Sequence, residues 1–73
     1  MAKAEISNSI RRLRFDHDEM TQQQLADRAG CTRQTIILLE QNRYGPSLAL
    51  AFRIARTFGR NLEEVFEFKG EIG

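Results

Sequence analysis

Apolar residues in the 73-residue chain fall into short clusters at helical spacing, broken by turn signals. Ile6, Ile10 and Leu13 stand at i, i+4 and i+7, one face of a first helix. Asn8 or Ser9 can cap it, and the polar run Asp16, His17, Asp18, Glu19 ends it. Thr21-Gln22-Gln23-Gln24 reads as a capping box, with Met20 stapled onto Leu25 and Gly30 as the left-handed stop of a second helix. Thr32 caps a third helix whose inward pair is Ile36 and Leu39, ending near Gln41 or Asn42. After the loop Tyr44-Gly45-Pro46, Ser47 caps a fourth, with an apolar stripe of Leu48, Ala51, Phe52, Ala55 and Phe58 before Gly59. Asn61 caps a fifth, with Glu63 and Glu64 at its positive end and Leu62, Val65 and Phe66 as its apolar face. From Phe66 to Ile72 the pattern alternates at period two, which predicts a short strand paired with residues 3–7.

The second and third helices define the architecture. Two short helices joined at a steep angle by a tight turn need a shared apolar core, a small residue at their crossing and a residue tolerant of positive φ. Leu25, Ala29, Ile36 and Leu39 supply the core, Ala26 the crossing and Gly30 the turn, with Cys31 small enough to tuck beneath it. These seven positions meet the demands in order. Residues 22–41 therefore predict a helix-turn-helix in an all-α, five-helix domain, to which the termini can add a two-stranded ribbon.

Composition narrows the class. With 41% hydrophobic and 29% charged residues the chain suits a folded domain, and its length allows only one, over residues 1–73. The net charge of +1 hides an asymmetry: residues 1–60 carry +4 and residues 61–73 carry −3. A basic body with an acidic end suits a protein that meets phosphate on one side. Cys31 is the sole cysteine and His17 the sole histidine, so neither an internal disulfide nor a zinc site of Cys and His is expected. No metal, cofactor, membrane or small-molecule effector is indicated, and the prokaryotic cytoplasm, at the nucleoid when bound to DNA, is the expected location. Glu63, Glu64 and Glu67 lack a neighbouring nucleophile or base and read as a cap and solvated face, so no enzyme is expected.

With Ile36 and Leu39 inward, the third helix turns Thr32, Arg33, Gln34, Ile37 and Leu38 to its outer side. Arg33 and Gln34 lie in its first turn, the part of a recognition helix that reaches base edges. Arginine can pair with guanine and glutamine with adenine, and Thr35 can add a hydroxyl or methyl contact. Gln22 and Thr32 at helix starts, with Asn42 and Arg43 beyond the third helix, are the candidate phosphate contacts. Ile37 and Leu38 fit thymine methyl groups, and fit equally a patch for a protein partner. Phe15 reads first as a satellite of the core, with packing on the terminal ribbon or over the dimer seam as its alternatives, His17 as a solvated helix-end residue and Cys31 as an inert small thiol.

Met20-Thr21-Gln22-Gln23-Gln24-Leu25-Ala26, Gly30, Thr32-Arg33-Gln34-Thr35-Ile36, Leu39-Glu40, Pro46-Ser47-Leu48 and Ala51-Phe52-Arg53-Ile54-Ala55 together resemble the Cro/C1-type (XRE) helix-turn-helix regulators. Phe58-Gly59 and Leu62-Glu63-Glu64-Val65-Phe66 extend the likeness over roughly residues 8–68, closest to short stand-alone members. The resemblance implies a five-helix lambda-repressor-like fold and a transcriptional regulator, usually a repressor, acting as a homodimer on palindromic double-stranded DNA. It places Gln22, Arg33, Gln34, Leu38 and Arg43 at DNA-facing positions. It also implies a dimer seam in segment 60–73, at Leu62, Val65, Phe66 and Phe68. Ile37 and Leu38 depart from the polar or small residues common there, as do Cys31 from valine, Arg60 from an apolar residue and Ala49 from glutamate. An antitoxin or restriction-modification controller shares this pattern. An adaptor that uses the Ile37 and Leu38 patch to bind protein is the alternative of another class, and the salt dependence of DNA binding separates it.

Overall fold

A computed structural model of the protein describes residues 6–68. Their order is β1 (Ile6–Asn8), α1 (Ile10–Asp16), α2 (Gln22–Ala29), α3 (Arg33–Glu40), α4 (Leu48–Phe58), α5 (Leu62–Val65) and β2 (Phe66–Phe68). This is the expected five-helix fold with a small ribbon.

Local chemistry sets most boundaries. The Asn8 side chain, through Oδ1, accepts from the Ile10 N–H at 3.1 Å and so starts α1, a task the Ser9 hydroxyl does not perform. Asp18 and Glu19 take φ of 56° and 54°, folding the chain back so that the Met20 N–H donates to the Arg14 carbonyl at 2.8 Å. The capping box forms as read: Thr21 Oγ1 accepts from the Gln24 N–H at 3.0 Å, and Gln24 Oε1 accepts from the Thr21 N–H at 2.9 Å. Thr32 and Ser47 cap α3 and α4 through Thr35 and Leu50. At α5 the Glu64 carboxylate accepts from the Asn61 N–H at 2.8 Å.

The core gathers Ile10, Leu13, Met20, Leu25, Ala29, Ile36, Leu39, Ile54, Phe58 and Val65 with their smaller neighbours, while Cys31, Leu62 and Phe66 pack on its edge. Ile10, Leu25, Ile36, Leu39, Ile54 and Val65 are the largest wholly buried side chains, each stabilising the fold by about 1.5–3 kcal/mol. The ribbon is antiparallel, with Ile6 opposite Phe68, Ser7 opposite Glu67 and Asn8 opposite Phe66. The expected strands reached residues 3–5 and 69–72, which lie outside the described residues.

Four expectations are corrected. Ile6 belongs to β1 and not to the helix that Ile10 and Leu13 face inward from. On α4, Leu48 and Phe52 are exposed, at 68% and 48%, and Leu50 and Ile54 fill the core instead. Two apolar stripes share Ala51, Ala55 and Phe58 on that helix, and packing against α2 selects the one bearing Ile54. Phe15 is no satellite of the core, at 68% exposure, because it stands away from the face of α1 that carries Ile10 and Leu13. His17 is half-buried, its ring edge-on to Phe58 at 5.2 Å and Nδ1 3.1 Å from the Leu13 carbonyl.

Candidate nucleic-acid interface

The α2–α3 pair is fixed by its turn. Gly30 takes φ +74°, a left-handed conformation that side-chain-bearing residues adopt only at a cost, and the Cys31 N–H closes the turn onto the Ala26 carbonyl at 3.0 Å. Arg53 of α4 donates through Nε to the Ala29 carbonyl at 2.7 Å, neutralising a free acceptor at the end of α2. Ala26 is wholly buried at the crossing, so the helices meet without a side chain to hold them apart. Burial raises the Cys31 pKa, with the Arg53 guanidinium opposing it.

This frame orients α3. Ile36 and Leu39 are buried. At about 100° per residue, Gln34, Ile37 and Leu38 fall on the opposite side, with Arg33 and Thr35 flanking. Arg33 and Gln34 are exposed, and Thr35, Ile37 and Leu38 half-buried. Neither Arg33 nor Gln34 has a side-chain partner among the described residues. The Thr32 and Thr35 hydroxyls lie 3.0 Å apart, so these two candidates engage each other. Arg43 is exposed and has no side-chain partner among the described residues. Asn42, at φ 57°, accepts through Oδ1 from Asn8 Nδ2 at 3.3 Å, and that same Asn8 amide donates to the Leu39 carbonyl at 2.7 Å.

Sequence reasoning missed the polar network that holds this surface together. Arg14 donates through Nε and Nη2 to the two oxygens of Glu40, at 2.6 and 3.1 Å, and through Nη1 to the Met20 carbonyl at 2.8 Å. Gln22 Nε2 donates to Glu40 Oε1 at 3.1 Å. The two charged side chains are only 15% and 10% exposed, so one carboxylate ties the end of α1 and the start of α2 to the end of α3. A signal was present: Arg14 lies four residues after buried Ile10, where a charge demands a partner. The Gln22 amide nitrogen carries two protons, so its bond to Glu40 orients the side chain while leaving one donor for a phosphate. Arg11, Arg12, Arg28, Arg33, Arg43 and Arg56 form no side-chain hydrogen bond or ion pair among the described residues.

Among the dimer candidates, Val65 is 1% exposed and packed in the protomer's own core, so its side chain is withdrawn from any seam. Leu62 and Phe66 are half-buried, and Phe68 is 52% exposed.

The helix-turn-helix family pattern matches residues 10–65, most of the chain and all five helices. The chain belongs to the Cro/C1-type helix-turn-helix family. A relative from Methanocaldococcus jannaschii, named an uncharacterized HTH-type transcriptional regulator, is 41% identical over 66 residues, covering 90% of this chain and 98% of its own. One with the same description from Methanothermobacter thermautotrophicus is 60% identical over 48 residues, covering 64% of this chain and 70% of its own. A crystal structure of a candidate DNA-binding protein from Bacteroides fragilis shares the fold, with a TM-score of 0.72 at 21% identity over 85% of this chain and 98% of its own. As a helix-turn-helix protein of this type, the chain is a DNA-binding transcriptional regulator. No helix among the described residues of this Cro/C1-type regulator is long and apolar enough to cross a membrane.

Proposed function

We propose that the protein is a sequence-specific repressor that binds a palindromic operator as a homodimer, occupying DNA that the transcription machinery would otherwise use. One observation carries the reading: Arg33 and Gln34 sit side by side in the first turn of a braced α3, exposed and without a side-chain partner among the described residues. Arg33 pairs with guanine and Gln34 with adenine, while Thr35 and Leu38 meet neighbouring bases from the flank and outer face. Gln22, Thr32, Asn42 and Arg43 hold the phosphates on either side of the groove. The domain spans residues 1–73, with segment 60–73 serving dimerisation, and works in the prokaryotic cytoplasm at the nucleoid.

Exposed apolar surface supports the homodimer. A cleft of about 230 Å³ is lined by Ile6, Pro46, Leu48, Ala51, Leu62 and Phe66, with Phe52 and Phe68 also exposed. A second copy covering this face with its own Leu62, Phe66 and Phe68 would bury it, and the operator reading requires that the two α3 helices then stand about 34 Å apart, one turn of duplex.

Selection of bound fragments from random DNA tests the reading. The expected product is a palindrome whose half-site centres lie about 10 base pairs apart, bound less tightly as salt rises. Arg33→Ala should relax the preference at one position per half-site, costing about 1–3 kcal/mol there. Arg43→Ala should weaken all sequences alike and reduce the salt slope by about one. Recovery of no consensus, or binding indifferent to salt, defeats the assignment.

A further inference from the structure

Two surface clefts flank one ridge on α1. The first, about 730 Å³, opens toward the starts of α2 and α3 and is lined by Arg11, Phe15, Glu19, Gln22, Gln23 and Arg33 among others. The second, about 500 Å³, is lined by Asn8, Ser9, Arg12 and Glu40, and again by Arg11 and Phe15. Arg11 and Phe15, at i and i+4 on α1, therefore form the wall between them. Arg11 is exposed with no side-chain partner among the described residues, and Phe15 is 68% exposed.

A single exposed phenylalanine needs no explanation. Its surroundings here do call for one. The ring lines one cleft with Arg11, Arg33 and Gln22, the two guanidiniums having no side-chain partner among the described residues, and both Gln22 and Arg33 belong to the proposed DNA face. Glu19 is the acid in that cleft, and Arg14 is already neutralised by Glu40, so the free positive charge that α1 gives this cleft comes from Arg11.

We propose that α1 is a third DNA-contacting element: Arg11 neutralises a backbone phosphate beside the groove entered by α3, and the Phe15 ring packs on the adjoining deoxyribose. The proposal rests on the DNA-binding reading and adds a ridge to it. A sugar-phosphate strand matches this surface because it alternates an anion with an apolar ring edge, as the ridge alternates a cation with a phenyl ring. Neither contact reads a base, so the ridge adds affinity for every sequence.

The test is anisotropy titration of the full chain against a fluorescein-labelled 30-base-pair duplex of mixed sequence, over a salt series. Each neutralised phosphate contributes about 0.9 to the slope of log K against log salt, equivalent to about eightfold in affinity between 0.1 and 1 M salt. Arg11→Gln should lower the slope by about that amount, and Arg11→Lys should restore it. Phe15→Ala should weaken binding about fivefold with the slope unchanged. Arg56→Gln, on α4 and outside both clefts, should leave the slope as it is. An unchanged slope in Arg11→Gln, beside a reduced slope in Arg43→Gln, overturns the ridge while leaving the α3 interface standing. Equal losses in Arg11→Gln and Arg56→Gln also overturn it, since net charge alone would then account for the effect. Absence of salt-dependent binding by the unaltered chain defeats the broader reading, and the ridge with it.

Discussion

Glu40→Ala is the sharpest single perturbation of this fold. It strips Arg14 of both carboxylate hydrogen bonds and Gln22 of its acceptor, leaving the guanidinium only its bond to the Met20 carbonyl. Removing one partner of a fully buried pair costs about 3–5 kcal/mol, whereas a solvent-exposed pair contributes about 0–1 kcal/mol. At 15% and 10% exposure the Arg14–Glu40 pair lies nearer the buried limit, but Arg14 keeps one partner and some access to water. The expected loss is about 2–3 kcal/mol. In a domain of this size that lowers Tm by about 10–20 °C. Circular dichroism melts at a fixed protein concentration measure it, since self-association would otherwise shift the midpoint. The double variant Arg14→Met/Glu40→Leu should return to within about 1 kcal/mol of the original, because an apolar pair of similar volume carries no desolvation penalty. A loss under about 0.5 kcal/mol in Glu40→Ala, or a double variant as unstable as its two singles summed, refutes the reasoning.

Two further outcomes follow from the backbone and the thiol. Gly30→Ala should cost about 1–2 kcal/mol in urea unfolding, from the left-handed strain alone, since its new Cβ would lie an ordinary 3.7 Å from Arg53 Nε. Gly45→Ala meets nothing within 4 Å and should be neutral or slightly stabilising, so equal losses at the two glycines would argue against the strain. Burial raises the Cys31 pKa, so its protonated thiol adds stability that is complete below the ordinary thiol range and is lost as pH rises through the raised value. The stability difference between the unaltered protein and Cys31→Ala should therefore narrow as pH rises above the ordinary thiol range, and a difference independent of pH would exclude the effect.

What could be read from the sequence divides along the range of the interaction. Thr21 with Gln24, Thr32 with Thr35 and Gly30 act across three residues or fewer, so their patterns announce the caps and turn that form. The α2–α3 core was legible for the same reason, because Leu25, Ala29, Ile36 and Leu39 each follow from helical spacing plus one turn. Arg14 and Glu40 meet across 26 positions, and no local pattern pairs them. The facing of α4 failed differently. Leu48 and Phe52 are as apolar as Leu50 and Ile54, and only the presence of α2 decides which pair turns inward. Phe15 and His17 exchanged their expected environments: Phe15 stands off the face of α1 that carries Ile10 and Leu13, while the His17 ring lies against Phe58.

The Asn8 side chain touches three things at once: the first peptide of α1, the last turn of α3 and Asn42 just past it. Asn8 also sits in the ribbon opposite Phe66. One small amide thus bolts the edge that would meet a second subunit to the rod that would enter the groove. If the two subunits join there, little slack separates the seam from the reading head, and the pair behaves as a caliper with a locked hinge. An operator lengthened by one base pair swings its far half-site by about 34°, and such a caliper cannot follow.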